Sequence, residues 1–284
     1  MICGAADVFT VHRGRLVTHA MEGITPDETM FIAADRDDLH KIVVINPKGG
    51  SGKTTLATNI AGYYAMRGPA PTLVDCDPLG FSMRWLEIRP DHLATVNGVA
   101  AYEETMPNSR TVYVESAPET EKLIIDLPAG IGMNELVDVT YGAGSILIPV
   151  MPSEIDVYST SRFIAELLLV AQIDRRDCQL AVVANRTRQN TRSFKALMRF
   201  LFSLKIPVIT ALRDSQNFVH AAANGMCLHE MPAHKTKKDI AQMDLIVTWL
   251  DQWGARRLDS FNAHRFDYEP VEPVFVTSRF RNAR

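Results

Sequence analysis

The feature that most constrains the fold is the glycine-rich stretch PKGGSGKTT, which lies between a short apolar run at 41–46 and a segment of helical spacing at 52–67. A buried strand, a glycine loop and a helix in this order form the context of a phosphate-binding loop, because backbone N–H groups at the helix start face an anion. The strict pattern GxxxxGK[ST] fails only at its first position, which is Pro47. A glycine turn without a ligand is the alternative, and the Lys and Thr that end the loop favour phosphate binding.

Strands and helices alternate along the rest of the chain. Apolar runs predict strands at 72–75, 123–126, 145–150, 180–184 and 207–209, and helical periodicity predicts helices near 156–173, 190–204, 215–224 and 236–252. This order predicts an α/β fold with a mainly parallel central sheet and helices on both faces. The run TVYVES at 111–116 predicts an extra edge strand that pairs with 123–126.

Composition divides the chain into three parts. The 284 residues, 46% of them hydrophobic, are enough to bury one large core, which we place in a single domain at 41–253. Residues 1–40 contain three Lys/Arg against seven Asp/Glu and predict an acidic, irregular extension with a short strand at 8–11. Residues 254–284 carry two prolines and scattered arginines and predict a tail. No apolar run approaches the ~20 residues of a membrane span, and the four cysteines form no CxxC pair.

Acidic residues end two of the predicted strands. LVDCDP contains Asp75 and Asp77 where a predicted strand ends, and LIIDLPAG contains Asp126, which is followed by a Pro-Ala-Gly turn. Ligands bind at the carboxyl ends of strands in an open parallel sheet. An apolar strand that ends in Asp is the usual water-mediated holder of Mg²⁺ beside a phosphate loop. A simple turn residue is the alternative for Asp126.

The loop itself supplies the predicted nucleotide contacts. Lys53 is predicted to reach the β- and γ-phosphates of a nucleotide, and the Thr54 hydroxyl to bind Mg²⁺. The predicted nucleotide-binding residues of the loop are Gly49, Gly50, Ser51, Gly52, Lys53, Thr54 and Thr55.

Together these segments resemble the ParA/MinD family of deviant-Walker P-loop ATPases, over roughly residues 41–250. The combination of KGGxGKTT, DxDP and DxPAG is highly specific. In that family the additional lysine, here Lys48, crosses to the phosphates of the partner's nucleotide in an ATP-bound dimer. The resemblance therefore implies an ATPase that uses ATP and Mg²⁺ and forms a sandwich homodimer.

The resemblance also implies roles for single residues. Lys48 and Lys53 would act on the phosphates, Asp77 would help to orient the attacking water, and Asp75 would lie near the metal and the switch. Asn185 would contact adenine, although an Asn that ends a strand is also a common turn residue. Leu79 stands where many ParA proteins carry Gln, so the branch within the family is less defined than the family.

A basic segment predicts a nucleic-acid surface. Between residues 185 and 213 there are seven Lys/Arg and no Asp or Glu. Phosphate binding is predicted, a solvated charged face is the alternative, and the DNA binding of ParA dimers without sequence preference agrees with the former. The predicted DNA-binding residues are Arg188, Arg192, Lys195 and Arg199 on one helical face, and Lys235, Lys237 and Lys238 further along.

The predicted function is that of a ParA-like, ATP-switched dimer that binds DNA and partitions or positions a cargo. The cargo is a plasmid or chromosome partition complex, or a protein body such as a carboxysome, and a ParB-like or other adaptor stimulates hydrolysis. The predicted location is cytoplasmic and nucleoid-associated, without stable membrane association. The main alternative is MinD-like membrane attachment through 249–261, where Gly254 interrupts the amphipathic faces. A cluster-carrying ATPase would need cysteines between 77 and 126, where none occurs, and a metabolic ligase would need a substrate pocket that the sequence does not reveal.

Overall fold

The computed structural model describes residues 6–12, 15–21, 32–33, 39–102, 113–115, 119–169, 173, 178–188, 191–203 and 206–263. The strands are β1 (Ala6–His12), β2 (Arg15–Met21), β3 (Ile32–Ala33), β4 (His40–Val44), β5 (Thr72–Asp75), β6 (Asn97–Ala100), β7 (Tyr113–Glu115), β8 (Lys122–Asp126), β9 (Ser145–Val150), β10 (Gln179–Thr187) and β11 (Val208–Arg213). The helices are α1 (Lys53–Ala65), α2 (Phe81–Glu87), α3 (Met133–Thr140), α4 (Glu154–Leu169), α5 (Arg192–Ser203), α6 (Gln216–Ala223) and α7 (Ala233–Ala263), with a 3₁₀ turn at Leu228–Glu230.

Seven strands form a central, all-parallel sheet in the order β11-β10-β9-β4-β8-β5-β6. Every residue of β4 and of β9 is buried, as expected for parallel strands covered on both faces. The predicted α/β fold with a parallel sheet is confirmed. Strand β4 lies at the centre, between β8 and β9, so the glycine-rich loop that follows it emerges in the middle of the sheet edge.

Helices cover both faces of this sheet. Leu136 of α3, Leu167 of α4 and Leu201 of α5 are buried in the core on one face. Ile60 of α1 and Leu250 of α7 are buried in the core on the other face, together with residues of α2 and α6. Two hydrophobic cores therefore sandwich the sheet. The sequence did not predict α2, β6 or α3, which are short.

A second sheet of four strands shows that the predictions for residues 1–40 and for the run at 111–116 were wrong in part. Its order is β2-β1-β7-β3, so the segment 1–40, predicted to be irregular, contains three strands, and the predicted strand at 8–11 lies within β1. The run at 111–116 contributes β7, which pairs with β1 and β3. The predicted pairing with 123–126 is wrong, because both edges of β8 are already bonded to β4 and β5.

Helix α7 extends beyond residue 253, where the sequence predicted the domain to end. Trp253 stacks on the ring of His40 with a centroid separation of 4.3 Å and an interplanar angle of 7°. The Nε2 atom of His40 lies 2.7 Å from the Ser145 hydroxyl. These contacts fix α7 to the amino-terminal edge of the sheet, opposite the glycine-rich loop. The rest of the predicted tail, residues 264–284, lies outside the described residues.

Candidate functional site

The loop after β4 has a backbone that requires glycine. Gly50 has φ of 74° and Gly52 has φ of 98°, which are left-handed conformations that L side chains rarely adopt. A Cβ atom on Gly52 would also overlap with Nδ2 of Asn185. The second constraint arises from packing, since Asn185 lies near the end of β10, far from the loop in the sequence.

Side chains from neighbouring strand ends hold the loop in place. The Asn46 Oδ1 accepts a hydrogen bond from the Lys48 N–H at 2.9 Å, and its Nδ2 donates to the Pro149 carbonyl at 2.8 Å. The Asn185 Nδ2 donates to the Ser51 carbonyl at 2.7 Å. Sequence reasoning missed Asn46, although an Asn that ends a buried strand directly before a glycine loop was a usable signal. Asn185 braces the loop, and its contact with adenine stays a prediction.

The two lysines of the loop point in different directions. Lys53 is 7% exposed and its Nζ donates to the Lys48 carbonyl at 3.3 Å, so its ammonium lies inside its own loop. Burial lowers the pKa of Lys53, while the carboxylates of Asp126 and Asp77 oppose that shift. The Lys48 Nζ lies 2.7 Å from an Asp156 carboxylate oxygen on α4. The ammonium of Lys48 is thus directed out of the loop.

Asp75 and Asp126 are register partners on adjacent strands. The Asp75 carboxylate accepts backbone hydrogen bonds from Asp77 at 3.0 Å, from Ser82 at 2.9 Å and from Met83 at 3.1 Å. Burial raises the pKa of Asp75, and these three N–H donors oppose the rise. Asp75 therefore anchors the segment from 77 to α2, and its predicted place near the metal stays a prediction.

Asp126 has the free coordination capacity that a cation site needs. Its Oδ2 accepts a hydrogen bond from the Ser82 hydroxyl at 2.8 Å, while its buried Oδ1 accepts none from the described residues. Burial raises the pKa of Asp126 to about 7, and the nearby hydroxyls of Thr54 and Ser82 oppose the shift. A hard cation prefers oxygen ligands, so the carboxylate of Asp126 and the hydroxyl of Thr54 fit Mg²⁺. Sequence reasoning missed Ser82, which links the two acidic strand ends.

Asp77 lies on a surface segment beside the loop. Its Oδ1 accepts a hydrogen bond from the Leu79 N–H at 3.0 Å. Leu79 is 70% exposed and Phe81 is 52% exposed, so this segment presents apolar side chains at the carboxyl edge of the sheet. The water-orienting role of Asp77 stays a prediction.

The predicted basic face is present on α5. Leu197 and Leu201 are buried, whereas Arg192, Lys195 and Arg199 are exposed, with no described acidic side chain within ion-pair distance of them. Arg188 was predicted on the same helical face, but α5 begins only at Arg192, so Arg188 lies outside the helix, where it pairs with Asp214 at 3.0 Å. Asp214, which neutralises Arg188, directly follows the segment 185–213, which contains no acidic residue.

A groove of about 520 Å³ separates α4 from α5, and it brings part of the basic face together with polar side chains. It is lined by Ser153, Tyr158, Ser161, Arg192, Arg199 and Phe200, among others. The exposed lysines of α7 lie elsewhere, because α7 packs on the opposite face of the sheet. The two predicted basic groups therefore do not form one face; they flank the sheet on either side of the β11 edge.

A glycine loop at the carboxyl end of a central parallel strand, with a buried lysine and two acidic strand ends beside it, defines a P-loop nucleotide-binding protein. The chain belongs to the family described as the CobQ/CobB/MinD/ParA nucleotide binding domain, whose model matches residues 42–228. The family predicted from the loop and the acidic motifs is confirmed.

Within this family, the chain is similar to proteins named for carboxysome distribution. The maintenance of carboxysome distribution protein A of Halothiobacillus neapolitanus is 27% identical over 193 residues, which cover 68% of this chain and 88% of that protein. The protein of the same name from Gloeobacter kilaueensis is 28% identical over 172 residues, which cover 56% and 76%. A solved ATP complex of a McdA variant from Cyanothece superposes with a TM-score of 0.52 at 13% identity, covering 83% of this chain and 99% of that one. The fold is thus shared with McdA.

Proposed function

We propose that this chain is a ParA-like ATPase whose ATP-bound form is a homodimer with the nucleotides at the interface. The observation that carries the proposal is the division between the two loop lysines. Lys53 lies inside its own loop, and Lys48 is directed out of it. An ammonium directed outward can serve a phosphate that belongs to a second chain.

Within each chain, the loop would bind the nucleotide and Mg²⁺. The backbone N–H groups between Gly49 and Thr55 and the ammonium of Lys53 would bind phosphate oxygens. Thr54 and Asp126 would hold Mg²⁺, which would neutralise part of the phosphate charge. Asp77 would orient the attacking water in hydrolysis.

The surface on α5 supports DNA as a partner of the dimer. Arg192, Lys195 and Arg199 are exposed beside a groove that also presents hydroxyl groups. Basic side chains without base-specific geometry contact phosphates, so binding would depend on charge and not on sequence. The relatives named for carboxysome distribution favour a protein body such as a carboxysome as the cargo. An adaptor protein on that cargo would stimulate hydrolysis. Nucleoid association would follow from the DNA binding.

Two aromatic rings of the segment that the membrane alternative would use are engaged within the protein. Trp249 packs against the core beneath α7, and Trp253 stacks on His40. Anchors of an interfacial helix must be free to enter the lipid headgroup region, and these two rings are engaged. Among the described helices, none combines the length with the hydropathy that a membrane span requires.

Salt dependence and charge reversal test the DNA surface. With ATP and Mg²⁺ the wild-type chain should bind unrelated duplexes with similar affinity. The slope of log affinity against log salt should be about −4 to −5, as expected if a dimer engages ~4–6 phosphates. The double variant Arg192→Glu/Lys195→Glu should lose retardation of DNA on a gel but still dimerise with ATP, because both side chains are exposed.

A matched control reverses two exposed charges on the other face of the sheet. The double variant Arg67→Glu/Arg84→Glu changes the net charge equally, at the end of α1 and on α2, and should leave most DNA binding intact. If both double variants lose DNA binding equally, the loss reflects the net charge of the protein and does not locate the DNA surface on α5. DNA binding by the α5 variant, or binding of the wild type to anionic vesicles in preference to DNA, would contradict the proposal.

A further inference from the structure

The ion pair between Lys48 and Asp156 shows the direction of Lys48, but the function proposed above does not explain why a buried carboxylate holds this lysine. The Lys48 Nζ lies 2.7 Å from the Asp156 Oδ2, and the side chains are 32% and 1% exposed. Asp156 lies in the first turn of α4, so the pair connects the nucleotide loop to this helix. A carboxylate buried to this degree is strongly unfavourable unless a cation is paired with it.

Helix capping explains only part of this arrangement. The Ser153 hydroxyl accepts a hydrogen bond from the Asp156 N–H at 3.2 Å, as an N-cap side chain does, and donates one to the Asp156 carboxylate. A cap requires neither a buried acid nor a partner on a distant loop. The second carboxylate oxygen, Oδ1, is buried and accepts no hydrogen bond from the described residues. The cation that offsets the charge of this carboxylate is Lys48.

We propose that Asp156 is a positioning residue for Lys48, and that it retains the lysine within its own chain until an ATP dimer forms. This inference rests on the proposed function. For Lys48 to reach the partner's phosphates, its ammonium must leave Asp156, and the carboxylate must then remain buried without its cation. ATP competes for the ammonium better than ADP, because it carries one more phosphate group at the interface. Asp156 would thereby make dimerisation depend on the triphosphate.

The first test measures the pair in the nucleotide-free monomer. A double-mutant cycle with Lys48→Met and Asp156→Asn would be followed by urea unfolding. In the chain that retains Asp156, Lys48→Met should raise the equilibrium constant for unfolding by at least about tenfold, because it leaves a buried charge unpaired. In the Asp156→Asn background the same change should have little effect. Additive effects of the two substitutions would overturn the positioning role.

The second test measures the effect on dimerisation. With ATP and Mg²⁺, Asp156→Asn should dimerise at a protein concentration roughly 3- to 30-fold lower than the wild type, since a charge-assisted contact no longer competes for Lys48. The control is Glu166→Gln, which removes the same charge from α4 at an exposed pair with Arg162 and should not change dimerisation. A purely structural cap predicts an unchanged or weaker dimer for Asp156→Asn, and that result would overturn the inference.

The two tests separate this inference from the proposed function. A wild-type chain that stays monomeric in ATP would contradict the proposed function, and it would also contradict the proposed effect of Asp156 on dimerisation. Additive effects in the unfolding cycle would show that Asp156 does not position Lys48, even if ATP dimers form normally.

Discussion

Lys53→Ala is expected to lose ATP binding, whereas Lys48→Ala is expected to bind ATP and remain monomeric. The Lys53 ammonium is buried inside its own loop, so its removal leaves phosphate oxygens without their cationic donor. Charged hydrogen bonds contribute ~1.5–3 kcal/mol each, so the Kd for a slowly hydrolysed ATP analogue should rise about 100-fold or more. Lys48→Ala should change this Kd less than about threefold, because its ammonium contacts Asp156 and not the loop. Titration calorimetry gives the Kd, and light scattering gives the mass.

The contrast between the two variants is the decisive result. Lys237→Ala, at an exposed lysine on α7, controls for the loss of a positive charge and should bind ATP and dimerise like the wild type. If Lys48→Ala and Lys53→Ala lose nucleotide binding equally, Lys48 acts within its own site and the cross-dimer role has no support.

Asp77→Ala is expected to bind ATP and to accumulate as a dimer that hydrolyses slowly. A residue that orients the attacking water contributes about 10²- to 10⁴-fold to the rate, so single-turnover hydrolysis should slow by at least ~100-fold. The dimer should then persist in ATP and Mg²⁺ long enough to be isolated by size-exclusion chromatography.

Asp91→Ala, at an exposed acid remote from the loop, provides the control and should hydrolyse ATP at the wild-type rate. Wild-type hydrolysis by Asp77→Ala would remove the residue from the catalytic role. A variant that stays monomeric would show instead that Asp77 is needed to build the interface.

Six of the seven strands of the central sheet were predictable because they carry local signals. Each of the six is a short apolar run next to turn residues, and such a run can be recognised without knowing which strands it pairs with. Strand β6, with the sequence NGVA, has no such run and was missed. The pairing of 111–116 was not predictable in this way. The run has strand composition, but its partner depends on which strands already occupy the edges of β8, and that is a property of the whole sheet.

The nucleotide loop and the acidic strand ends were predictable for the same reason, since their spacing is local. The residues that hold the site together were not. Ser82 links Asp75 to Asp126, and Asp156 reaches Lys48 across more than one hundred residues of chain. Such contacts depend on how helices pack over the strand ends. The neutralisation of Arg188 by Asp214 is of the same kind, because the acid reaches the arginine from the end of the next strand.

The mass of the chain in solution tests the central claim most directly. Light scattering of the wild-type protein with ATP and Mg²⁺ should give twice the 31.6 kDa of one chain, and the same protein with ADP should give the monomer mass. The slowly hydrolysed ATP analogue should give the same dimer mass without requiring hydrolysis. A protein that remains at 31.6 kDa with the analogue bound, or that is an equally stable dimer in ADP, would contradict an ATP-switched dimer.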